Sequence, residues 1–227
     1  MQLLFLHGAL GSKSQFDSLL ARLPNTIEGH SMNFSGHGGR PVALGGFRFD
    51  TFCKEILQYL DEHSISRVNL FGYSMGGYAA LMFASLHPDR VEKVFTLNVK
   101  FNWDLESTQK ETSMLDPEKM MEKVPGFANN LILQHGMMFW KEMLKNTSDM
   151  MMNMTVGKLM TDDDYQKITA PTRMAIGELD KTSSLMETLE VQQKTKQAQL
   201  LVIPGAPHPL EKIKIERILF EIEDFFQ

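Results

Sequence analysis

Runs of consecutive apolar residues alternate along this chain with stretches in which apolar residues return every three or four positions. Gln2 to Leu6 carries Leu3-Leu4-Phe5-Leu6, the pattern of a strand buried on both faces. Phe16, Leu19, Leu20 and Leu23 follow at helical spacing, and Pro24-Asn25 ends that helix. Ile27 to Phe34 is a second strand candidate, and Ser35-Gly36-His37-Gly38-Gly39 behind it is loop. Phe52, Ile56, Tyr59 and Leu60 mark the next helix, and Arg67 to Phe71 the next strand. Met75, Ala79, Met82, Phe83 and Leu86 form a helix that Pro88 stops. Val91 to Val99, Pro171 to Ile176 and Ala198 to Ile203 are the remaining strand candidates. A final helix carries a wide apolar stripe of Ile215, Ile218, Leu219, Ile222, Phe225 and Phe226. Such alternation predicts an α/β fold, an open and mostly parallel sheet covered by helices on both faces.

Residues 100–165 break this rhythm. They hold eleven of the seventeen methionines, including Met150-Met151-Met152, and show helical spacing without a strand. The chain therefore divides into a core, 1–99 and 166–227, and a helical insertion, 100–165. At 227 residues, 43% apolar and 22% charged, it has the balance of a globular protein with a substantial core. The net charge of −5 comes without a basic block or stripe, so no nucleic-acid partner is expected. Cys53 is the lone cysteine, which excludes an intrachain disulfide and reads as a small core residue. Leu3 to Leu6 is too short for a signal peptide's apolar region, and no run of about 18 apolar residues exists. The expectation is a cytoplasmic protein with no membrane partner.

Chemistry enters at Gly72-Tyr73-Ser74-Met75-Gly76, which joins the strand Val68-Asn69-Leu70-Phe71 directly to a helix. A turn this sharp holds the serine in a strained conformation. Glycines two residues either side remove side chains that would strike the strand or the helix. The free N–H groups of the following helix point at the same place and favour negative charge there. Ser74 is the candidate nucleophile.

Five segments then resemble the α/β-hydrolase fold family: His7-Gly8 after the first strand, Ser35-Gly36-His37-Gly38, the Ser74 turn, Gly177-Glu178-Leu179-Asp180, and Pro204-Gly205-Ala206-Pro207-His208. They occur in the family's chain order of serine, acid, histidine. The resemblance implies a sheet trimmed to about six strands, because this chain begins on the His-Gly strand without two antiparallel strands ahead of it. It further implies His208 as the base that activates Ser74, with His7 and His37 in supporting roles. Asp180 is the implied orienting acid, with Glu178 and Asp104 as competitors. The oxyanion hole would be the backbone N–H groups of Ala9 and Met75.

The insertion would then form a lid over Ser74. Leu10, Tyr73, Met138 and Trp140 are candidate walls of an apolar pocket, since methionine suits a pliable one. The expected function is a carboxylesterase-like serine hydrolase of small to medium apolar esters, with a small acyl compound as its partner. No cofactor is implied, and the histidine spacing suggests no metal site. Two alternatives stand beside it. The chain is also similar to the menaquinone-pathway synthase that eliminates pyruvate, although Tyr78 stands where that group usually carries an arginine. A ligand-binding protein on a hydrolase scaffold is the other.

Overall fold

Leu3 and Phe5 leave the first strand on one side and Leu4 and Leu6 on the other, and all four are completely buried. A strand of this kind must lie inside a sheet covered on both faces. In the computed structural model, which describes residues 1–157 and 159–227, it is β1 (Gln2–Leu6). Five more strands follow: β2 (Glu28–Met32), β3 (Val68–Tyr73), β4 (Val91–Leu97), β5 (Thr172–Gly177) and β6 (Ala198–Ile203). They form one sheet in the order β2-β1-β3-β4-β5-β6, and every pairing is parallel. About six mostly parallel strands were expected; six wholly parallel ones are found.

A 3-10 turn, Lys13–Phe16, leads into the short α1 (Asp17–Leu20). This helix is shorter than the 16–23 periodicity suggests, because Leu23 packs against the core from the turn that follows. Next come α2 (Phe49–Glu62) and α3 (Met75–Leu86). Among the described residues between β4 and β5 lie five α-helices: α4 (Leu105–Thr112), α5 (Pro117–Lys123), α6 (Pro125–His135), α7 (Trp140–Met154) and α8 (Asp162–Gln166). The set closes with α9 (Leu185–Lys194) and α10 (Ile215–Phe226).

Two cores result, one on each face of the sheet. Phe52 and Ile56 of α2 and Ala79 and Phe83 of α3 pack on the side of Leu4, Leu6, Leu70 and Val94. Leu19 of α1 and the α10 stripe pack on the side of Leu3, Phe5, Phe71 and Phe95. Trp140, Met143, Leu144 and Met150 of α7 join the first of these cores. No helix among the described residues is long and apolar enough to cross a membrane.

The strand order places the site. From β1 the chain crosses to β2 at one edge and returns to β3 on the other side of β1. The loops leaving β1 and β3 diverge at their carboxyl ends, the position where open parallel sheets offer a crevice.

Candidate active site

Ser74 occupies the residue between β3 and α3 with φ 51° and ψ −116°. A positive φ is rare for a residue with a Cβ, and only the surrounding packing maintains it. The Ser74 N–H donates to the Leu97 carbonyl at 2.8 Å, tying the turn to β4. A Cβ at residue 72 would lie 2.5 Å from the Gly76 carbonyl oxygen, and one at residue 76 would lie 2.1 Å from the Leu6 carbonyl oxygen. Both clashes are with backbone, so glycine is required at each position.

Asp180 and His208 meet after β5 and β6. The imidazole Nδ1 lies 2.8 Å from Asp180 Oδ2, and the carboxylate side chain is completely buried. Asp180 Oδ1 accepts from the N–H groups of Thr182 and Ser183 at 2.7 and 2.9 Å. Burial pushes the Asp180 carboxyl up, but the His208 hydrogen bond and charge and the two N–H donors outweigh it and hold the group below the usual carboxylate range. Glu178 turns away and accepts from the Gly205 N–H at 2.8 Å, while the exposed Asp104 caps α4 by accepting from the Ser107 N–H at 2.8 Å. Of the three acids, only Asp180 reaches the histidine.

Asn98, which motif reading passes over, organises this corner. It sits at the end of β4 with φ 56°, fully buried, and its side chain accepts from the Gly177 N–H at 2.8 Å. The same amide donates to the Pro207 and His208 carbonyls, both at 3.0 Å. The Tyr73 hydroxyl donates to the His208 carbonyl at 3.1 Å, and Ser183 Oγ donates to the Asn98 carbonyl at 3.1 Å. The one clue in the sequence was a polar residue between Leu97 and Val99, of a type that tolerates positive φ.

Ala9 and Met75 flank the serine from the β1 loop and the α3 N-terminus. Neither N–H donates to a protein acceptor among the described residues. The β1 loop is held from several sides. His7 Nδ1 donates to the Gly8 carbonyl at 2.9 Å, and its Nε2 accepts from the Phe34 N–H at 3.2 Å. His135 of α6 accepts from the Gly38 N–H at Nδ1, so its Nε2 carries the hydrogen and donates to the Leu10 carbonyl, each at 3.0 Å. Gln134 beside it donates to Ser12 Oγ at 2.7 Å. Burial lowers His7 to about 4 and lowers His37 and His135 as well, so all three are neutral near pH 7. His135 gave no signal in the sequence, since its loop partner is 125 positions away.

Ser74 and His208 open into one cavity of about 180 Å³, which Ala9, Leu10, Tyr73 and Met75 also line. The Ser74 hydroxyl makes no hydrogen bond to His208 in this state. Of the expected pocket walls, Leu10 and Tyr73 are brought to the cavity; Met138 and Trp140 are not. Met138 stands 85% exposed in the turn between α6 and α7, and Trp140 is 2% exposed within the core. Position along the chain explains the difference: Met138 lies in the turn before α7, and one face of that helix carries Trp140, Met143, Leu144 and Thr147 into the core at its start and Met150, Met151 and Met154 to the cavity at its end. Phe49, Tyr78, Lys100, Trp103 and Glu111 supply much of the remaining wall. A serine, an imidazole held by a carboxylate, and two free N–H groups at one cavity can together move a proton and stabilise an oxyanion.

The family model described as alpha/beta hydrolase fold matches residues 2–136. A serine hydrolase-like protein from Homo sapiens is 31% identical over 123 residues, 53% of this chain and 60% of that protein. Ethanol acetyltransferase 1 from Kluyveromyces marxianus is 30% identical over 90 residues, 39% of this chain. The chain spans about a quarter of the length of the alcohol acetyltransferases it matches. Among solved structures, an enol-lactonase from Burkholderia xenovorans superposes with a TM-score of 0.80 at 18% identity, covering 99% of this chain and 90% of its own. An esterase from Thermogutta terrifontis does so with a TM-score of 0.77 at 19% identity, covering 100% and 89%.

Proposed function

This chain belongs to the alpha/beta hydrolase fold family, and from that premise we propose that it is a serine hydrolase of small to medium apolar carboxylic esters. The observation that carries the reading is His208, held by the buried Asp180 carboxylate, lining one largely apolar cavity together with Ser74. With Nδ1 engaged by Asp180, His208 presents Nε2 as the base. It takes the hydroxyl proton as Ser74 Oγ attacks the ester carbonyl. The N–H groups of Ala9 and Met75 receive the negative oxygen, each contributing roughly 10²–10³ in rate. His208 then returns the proton to the departing alcohol, and water, activated by the same imidazole, releases the acid from Ser74. The serine–histidine contact missing here forms once a substrate orders the cavity, since such bonds are often long before substrate binds. Helices α4 to α7 act as the lid, with α7 supplying Met150, Met151 and Met154 to the substrate.

The likeness to ethanol acetyltransferase 1 supports a second reading, in which an alcohol replaces water as the acceptor of the acyl group. One experiment addresses both. A fluorophosphonate probe should label the protein rapidly and fail to label folded Ser74→Ala, whose ester turnover falls by on the order of 10⁶. Adding ethanol to the ester assay then divides the product between acid and ethyl ester. Folded wild-type protein that resists the probe would leave the binding-scaffold reading instead. Turnover confined to a polycarboxylate would favour elimination chemistry.

A further inference from the structure

Away from Ser74, His208 and Thr182, the charged groups that face the cavity are Lys100 and Glu111, set among mainly apolar and aromatic side chains. Lys100 follows β4 and its side chain is only 9% exposed; Glu111 comes from α4. The Lys100 Nζ lies 2.5 Å from Glu111 Oε1 and 4.6 Å from the centre of the Trp103 ring. The Trp103 indole N–H donates to the Lys100 carbonyl at 3.2 Å, which fixes the ring beneath the ammonium. An ammonium has three hydrogens to donate, and Glu111 takes one. Among the described residues no other side chain accepts from Lys100, and Glu111 Oε2 accepts from none.

A donor and an acceptor therefore stand side by side in a chamber walled by Phe49, Tyr78, Met150 and Met154. An all-hydrocarbon ligand filling it would strip both of water and return nothing. A carboxylate would satisfy Lys100 but would be forced against Glu111. The group that suits both is neutral, and it accepts from the ammonium while donating to the carboxylate. We infer that Lys100 and Glu111 form a recognition subsite for a neutral carboxamide or hydroxyl carried by the apolar part of the substrate, an inference that rests on the Ser74 hydrolase reading.

Two matched ester series test this by proton release, one varying the acyl chain and one the alcohol, each ended by methyl, carboxamide or carboxylate. In one series the carboxamide should exceed both other ends by about tenfold or more in kcat/KM. Lys100→Met with Glu111→Met, which removes the pair without stranding a charge, should erase that advantage, bringing the carboxamide-ended and methyl-ended esters within about threefold of each other. Equal rates for all ends in both series, or a carboxylate preferred, would overturn the inference. So would a uniform loss across all ends in a variant of unchanged melting temperature, since that marks a lid anchor rather than a subsite. Should no ester be hydrolysed, calorimetry on Ser74→Ala separates the two ideas. Hexanamide binding tighter than hexanoate, and lost in the paired variant, sustains the subsite without the hydrolase. Equal or absent binding ends it.

Discussion

Asp180 is held by the His208 ring and the Thr182 and Ser183 N–H groups at once, with the Ser183 hydroxyl also within 3.3 Å of Oδ2. Its carboxyl therefore stays ionised and fixes the hydrogen of the imidazole on Nδ1. Asp180→Asn keeps the shape but favours the wrong tautomer, and kcat should fall by about 10⁴ with little change in KM. The assay is steady-state ester hydrolysis. His135 works through Leu10, whose φ of 61° marks a loop kept in place by its surroundings. His135→Phe should lower kcat by roughly 10–10², the scale of a misplaced oxyanion donor. Binding of an alkyl boronic acid should weaken in parallel while KM holds, and His135→Gln, which keeps a donor for Leu10, should recover part of the loss. If the variant loses melting temperature but not boronate affinity, the histidine supports only the fold. Ser74, His208 and Asp180 were nameable from the sequence because each sits in a motif with a fixed place on a strand end. Asn98 and His135 lack such motifs, and their roles come from partners distant in the chain.

Among the elements, β3 and α3 are joined so closely that α3 starts against the end of β1. Gly76→Ala would drive a Cβ into the Leu6 carbonyl, 2.1 Å away, where no flexible side chain can yield. The cost should be about 3 kcal/mol or more, read as a lowered urea midpoint or loss of folded protein. The inner strands were the most legible elements, since a mainly apolar run buried on both faces has few alternatives, whereas the edge strand β2, with Glu28, His30 and Ser31, is shorter than the Ile27 to Phe34 that was expected. The α7 register was less so: Met138 and Trp140 looked like pocket walls by composition. Helical phase and the turn at Gly136, with φ 85°, send one into solvent and the other into the core.

At the scale of the whole molecule, His7, His37 and His135 bring the β1 end, the 35–39 loop and α6 into one buried neutral group. Burial lowers His7 to about 4, below its ordinary 6.5. Between those values the unfolded chain takes up a proton that the folded chain refuses, so stability is complete above pH 6.5 and is lost as pH falls towards 4. His7 alone contributes on the order of 3 kcal/mol to that loss, and the lowered His37 and His135 act in the same direction. Urea midpoints should drop steadily across that window, and less steeply in His7→Asn; a flat wild-type profile would contradict the neutral cluster. The succession of strands and helices along the chain, the serine turn and the acid and histidine loops were determined by the sequence itself, because local spacing and turn geometry leave traces within a few residues. Which methionines reach the cavity, how Asn98 fastens the histidine loop, and that Lys100 and Glu111 share one apolar chamber were decided only by tertiary structure. Those contacts join residues whose sequence neighbours say nothing of each other, and only the packed chain brings them within bonding distance.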